Sequence, residues 1–142
     1  MTRADWVSIL AQARPETVSR LAALVEEFCS VEITCPPTQG LLLATVEDSV
    51  EGNAFHPGEI FVTTCETRCN GHLGYAVILG GDADKARDCA VLDVALQSNS
   101  PERLAILDVL AEERRWLYTQ RQAEREMVQS TRVHFETMDP QR

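Results

Sequence analysis

The sequence predicts an α+β fold: an antiparallel β-sheet of about four to five strands, with two N-terminal helices and two C-terminal helices packed on it. Three observations carry this. Apolar residues recur at helical spacing between Ala4 and Phe28, β-like runs fill the stretch from Val31 to Leu79 around an Asn70-Gly71 turn, and helical spacing returns after Gly81.

Trp6, Val7, Ile9, Leu10 and Ala13 mark the first helix, with Asp5 in its first turn where a carboxylate suits the dipole. Pro15, favoured at a first helical position, opens the second, and Val18, Leu21, Ala22, Val25 and Phe28 form its apolar face. Val31, Ile33 and Cys35 alternate with polar residues until Pro36-Pro37, and Leu41 to Val46 form a further run, so two strands are expected here. The glycines, asparagine and proline of EDSVEGNAFHPGE predict a surface loop before a strand from Glu59 to Cys69.

Asn70-Gly71 is the strongest short hairpin signal, because a type I′ turn needs positive φ at both central positions. It sets the register with the strand His72 to Leu79: Cys69 opposite His72, Thr67 opposite Gly74, Cys65 opposite Ala76 and Thr63 opposite Ile78, all on one face. Gly80-Gly81-Asp82 ends the hairpin and starts a helix with Asp82 or Asp84 as N-cap. Cys89 to Leu96 is apolar on all sides except at Asp93, which predicts burial under the sheet. After a break at Ser98 to Pro101, a last helix runs from Glu102 to about Gln129 on a stripe of Leu104, Leu107, Leu110 and Ala111 that fades after Glu112. Its second half is expected to leave the core. Residues 1–142 form one expected domain, with 130–142 as a docking or edge-strand tail.

Composition narrows the function. A net charge of −9, from 22 acidic and 13 basic residues, argues against nucleic acid as a partner. It also disfavours binding an anion on this chain alone, so that a partner protein would supply the positive site. No tract is apolar enough for a membrane and Met1 opens no secretory leader, which predicts a soluble cytoplasmic protein with no membrane partner. The five cysteines are then expected to be reduced thiols.

Few residues carry recognisable chemistry. Cys65, Cys69 and His72 offer zinc-type ligands, but four residues along a strand separate the two cysteines by about 13 Å, too far for one ion. No metal site is expected. Gly80-Gly81 is accounted for as turn and helix cap, and meets neither the Rossmann nor the P-loop pattern. Asp93, a carboxylate inside an apolar segment, is the candidate site residue, with a structural ion pair as the equal alternative. No spacing places it with His72 or His134 for hydrolytic chemistry, and no catalytic residue is assigned.

Several segments together resemble the PhnG family, a subunit of the bacterial carbon–phosphorus lyase system. They are Trp6-x-x-Ile9-Leu10-Ala11, GHLGYAVILGGD from Gly71 to Asp82, Ala86 to Leu92 followed by Asp93, and the closing Thr131-Arg132-Val133-x-Phe135-x-Thr137-Met138. The closing segment departs from the family pattern at His134 and Glu136, where the family has Asp and Phe, and after Met138, where Asp139-Pro140 stands in place of Arg-Gly.

The resemblance implies an accessory subunit, without activity or cofactor of its own, working with PhnH, PhnI and PhnJ and with PhnL for the transferase step. That step moves an alkylphosphonate such as methylphosphonate onto the ribose of ATP and releases adenine, leaving α-D-ribose 1-methylphosphonate 5-triphosphate. The alternative is a stand-alone homo-oligomeric binding module. In the closing segment Val133, Phe135 and Thr137 share one side of an extended chain, so it suits pairing with a sheet edge of this subunit or of a partner. Thr131, Arg132, Val133, Phe135, Thr137 and Met138 are the candidate partner-interface residues.

Overall fold

A computed structural model describes residues 1–98 and 102–131. The elements run α1 (Arg3–Gln12), α2 (Pro15–Phe28), β1 (Glu32–Glu47), β2 (Ala54–Cys69), β3 (His72–Leu79), α3 (Ala83–Gln97) and α4 (Glu102–Ser130). The α+β class is as expected.

Thr2 caps α1, its hydroxyl accepting from the Asp5 N–H while Asp5 Oδ2 accepts from the Thr2 N–H at 2.7 Å. Pro15 opens α2, which buries Val18, Leu21, Ala22 and Val25 but leaves Phe28 exposed. Asp82 is the N-cap of α3, accepting from the Lys85 N–H at 3.0 Å.

The sheet has three strands in the order β1-β2-β3, not four to five. The two runs expected on either side of Pro36-Pro37 are one strand, β1. Proline stops pairing only where its missing N–H is needed; here the pair stands on an edge strand, inside the register shift between Cys35 and Thr38 that absorbs it. The expected loop from Glu47 to Glu59 is shorter for a similar reason. Only Asp48 to Asn53 turns, closed by Asp48 N–H donating to the Asn53 carbonyl at 2.9 Å, and Pro57 lies at a further shift between Ala44 and Val46. Of the tail expected at 130–142, Ser130 is the last residue of α4 and Thr131 follows it, while 132–142 lie outside the described residues.

The β2–β3 register matches expectation at all four pairs, Cys69–His72 through Thr63–Ile78. Asn70 and Gly71 have φ of 50° and 80°, as a type I′ turn demands. The face that these pairs share is buried at Thr63, Cys65, Thr67, Cys69, Ala76 and Ile78, and exposed at His72 beside the turn. Against it lies α3, whose residues from Asp88 to Leu96 are all buried, because α1 and α2 cover its other side. Each fully buried Leu or Val there contributes about 1.5–3 kcal/mol. Thr67 ties sheet to helix by donating to the Ala90 carbonyl at 2.8 Å. All five cysteines are free, and burial pushes the Cys89 thiol up to about 12.

Gly74 is where β3 and α3 meet most closely. A Cβ there would lie 2.3 Å from the Ala90 carbonyl oxygen and 2.8 Å from Val94 Cβ. Because one of these is helix backbone, Gly74→Ala is expected to cost about 1–3 kcal/mol, seen as a lower urea midpoint at unchanged slope. Wild-type stability would mean that α3 can move off the sheet freely.

The α4 stripe holds at Leu110, which is buried, and at Leu107, which packs against the core, but Leu104 is exposed and Ile106 and Glu113 are buried beside it. Beyond Glu113 the helix carries Tyr118, Met127 and Val128 in the open, as expected for a half that leaves the core.

Beyond Val62 the sheet thins. β3 pairs β2 only from Val62 to Cys69, so Gly40–Glu47 and Ala54–Phe61 form a two-stranded ribbon projecting past it.

Candidate functional site

Asp93 is 1% exposed, and five hydrogen bonds converge on its carboxylate. Oδ1 accepts from Trp6 Nε1 at 2.9 Å and Arg3 Nε at 3.2 Å. Oδ2 accepts from Arg3 Nη2 at 2.6 Å, the Tyr75 N–H at 3.0 Å and Gln97 Nε2 at 3.2 Å. α1, β3 and α3 therefore meet at one carboxylate. The hydrogen bonds that Arg3 donates to Asp93 raise its guanidinium above the ordinary value, against the smaller effect of burial. Three of the stretches singled out in the sequence, around Trp6, Tyr75 and Asp93, come together here. Every Asp93 partner is a donor, so the carboxylate serves as a tie between elements. His72, exposed at the hairpin end, is not among its partners, and His134 lies outside the described residues.

A second buried carboxylate went unnoticed in the sequence. Glu113, also 1% exposed, accepts from the Arg14 side chain, with Nε at 3.0 Å, from the Arg14 N–H at 3.3 Å and from the Thr17 hydroxyl at 3.1 Å. It thereby holds α4 on the first turn of α2, where the helix dipole favours negative charge. Burial acts to raise its pKa, but the bonds from Arg14 and Thr17 outweigh this and leave it below the ordinary 4.5. Arg14 also lies over the Trp116 ring, 5.1 Å from its centroid. The signal was present: Ile106, Leu110 and Glu113 recur at i, i+4 and i+7.

Of the interface candidates, Thr131 is described: it is exposed, and its hydroxyl donates to the Val128 carbonyl at 2.9 Å. Arg132, Val133, Phe135, Thr137 and Met138 lie outside the described residues. A groove of about 300 Å³ runs between α1 and α4, lined among others by Asp5, Ser8, Gln12, Arg114, Tyr118 and Arg121. Its charges are mixed, and the Arg121 guanidinium already donates to Gln12 Oε1.

Among the described residues, no group of three or more His, Cys, Asp or Glu side chains is arranged to hold a metal ion. No helix there is long and apolar enough to cross a membrane. What the surface does offer is apolar: Leu41, Leu42, Leu43, Phe55, Ile60 and Phe61 are exposed on the ribbon, and Leu73, Tyr75 and Leu79 on the open face of β3.

Among protein families, the model described as phosphonate metabolism protein PhnG matches residues 1–139.

Proposed function

Because the chain belongs to the PhnG family of phosphonate metabolism, we propose that it is an accessory subunit of the carbon–phosphorus lyase core complex. In this reading it acts with PhnH, PhnI and PhnL in the transfer of methylphosphonate, or another alkylphosphonate, to the ribose of ATP. Adenine leaves, and α-D-ribose 1-methylphosphonate 5-triphosphate is formed. PhnJ, which cleaves the carbon–phosphorus bond later, shares the assembly. The subunit works in the cytoplasm and brings no cofactor of its own.

The observation that supports this most directly is how the chain spends its polar groups. Both fully buried carboxylates, Asp93 and Glu113, are committed to arginines of the same chain, while a long stretch of apolar strand is left to solvent. That is the economy of a subunit whose surface is completed by neighbours. Its contribution would be to hold a neighbouring active site in shape and keep water from it.

The test is adenine release from ATP and methylphosphonate by the reconstituted proteins. With this chain present release is expected; without it release should fall to background, and the chain alone should release none. Equal release with and without it would overturn the proposal.

A further inference from the structure

The ribbon of Gly40–Glu47 and Ala54–Phe61 is the least self-sufficient part of the molecule. A two-stranded hairpin on its own is marginal in water. Among the described residues, neither outer edge of this ribbon pairs with another strand. Residues directly opposite in an antiparallel pair share a face, so Leu41 and Phe61 stand on one side, and Leu42 and Ile60 on the other. All four are exposed, Leu41 to 60%. A flat partner would cover one side and leave the other wet.

The charges are as uneven as the apolar residues. From Gly40 to Phe61 the chain carries Glu47, Asp48, Glu51 and Glu59 and no Lys or Arg. Three of these carboxylates belong to the tip, where the Val50 N–H donates to Asp48 Oδ1 at 3.1 Å and Asn53 Nδ2 donates to Glu51 Oε2 at 3.1 Å. Val50, 86% exposed, sits among them. The ribbon is thus an apolar shaft with an acidic, hydrogen-bonded tip.

We infer that this ribbon is a docking arm that enters, tip first, a cleft of a different protein with apolar walls and Lys or Arg side chains at its inner end. A second copy of this chain is a poor occupant, since two molecules of charge −9 would bring the same uncompensated acidic tips to one interface. A basic cleft gains from that field and captures the arm faster at low salt. The inference rests on the subunit role proposed above.

The experiment uses the full chain, co-expressed with the other subunits of the proposed assembly, and measures retention on a tagged partner. Leu41→Thr/Phe61→Thr and Leu42→Thr/Ile60→Thr change one face each while putting β-branched residues, which suit a strand, in their place; Leu104→Ser, on α4, is the control. Each ribbon pair is expected to weaken retention about tenfold or more, and the control to change nothing. Glu47→Gln/Glu51→Gln should slow association and flatten its dependence on salt. Circular dichroism should show all variants folded.

Hydrogen exchange adds a measurement free of mutation: amides in 40–47 and 54–61 should exchange faster in the isolated chain than in the assembly. Protection already present in the isolated chain overturns the inference, because the chain's own tail or a second copy then covers the ribbon. Wild-type retention of either ribbon pair also overturns it, and loss confined to one face overturns the enclosing cleft. If the wild-type chain is retained by no subunit, the proposed role itself falls, and this inference with it.

Discussion

Asp93→Asn is expected to destabilise the chain by about 3 kcal/mol, nearly as much as Asp93→Ala, although Asn differs from Asp by one group. The reason is the polarity of the site. All five hydrogen bonds to the carboxylate come from donors: Arg3 twice, the Trp6 indole, the Tyr75 N–H and the Gln97 amide. An Asn amide turned one way sets its NH₂ against Arg3 Nη2, Tyr75 N–H and Gln97, and turned the other way against Trp6 Nε1 and Arg3 Nε. Removing one partner of a buried ion pair costs about 3–5 kcal/mol, and an orphaned buried donor about 1–3 kcal/mol. Arg3 is half-exposed and can turn to water, which puts the expectation at the low end.

For a chain of this size the change corresponds to about a 10 °C fall in Tm, read by calorimetry or circular dichroism. Below that lowered transition, adenine release by the reconstituted assembly should match wild type. A variant with wild-type stability and no release would instead make Asp93 a catalytic group. Arg3→Ala discriminates further: it leaves the indole, the Tyr75 N–H and Gln97 in place and should cost less than either change at Asp93.

Asp93 was legible because it broke a pattern. A charged residue in a segment apolar on all sides stands out at any register, and local spacing alone places it under the sheet. Its partners were not legible, since Arg3 and Trp6 lie some ninety positions away and nothing local encodes that approach. The β2–β3 hairpin could be read to the residue because Asn70-Gly71 fixes both turn and register. β1 was misread as two strands because the same Pro36-Pro37 that would break a central strand is tolerated at an edge beside bulges, and edge position is decided by the finished sheet.

Glu113 shows the opposite failure. A stripe drawn through Leu104, Leu107, Leu110 and Ala111 and fading after Glu112 leaves Glu113 out, whereas the buried line through Ile106 and Leu110 runs directly onto it. Hydrophobicity ranks Leu104 above any glutamate, but the buried face of α4 is set by α1 and α3, against which it packs, and by the arginine waiting at the start of α2.

That arginine gives the second large expectation, a pH-dependent one. Glu113→Gln is expected to cost about 2–3 kcal/mol at pH 7, because the amide cannot accept from Arg14 Nε, the Arg14 N–H and the Thr17 hydroxyl without placing its own NH₂ against one of these donors. The carboxylate is the part that titrates. Burial raises its pKa and the Arg14 and Thr17 bonds lower it by more, so the folded value lies below the ordinary 4.5 that the unfolded chain shows.

A depressed folded value means that the unfolded chain takes up the proton first. The contribution is therefore complete above pH 4.5 and is lost as the pH falls through the folded value. Urea midpoints of wild type and Glu113→Gln, compared from pH 7 down to about pH 3, should converge at the acid end. A gap that stays constant across that range would mean that Glu113 acts by packing and not by charge. Since Glu113 is the last buried residue of α4, the same substitution should free the half of the helix beyond it. Limited proteolysis should then cut between Arg114 and Arg125 faster in the variant, while α1, α2 and the sheet stay protected.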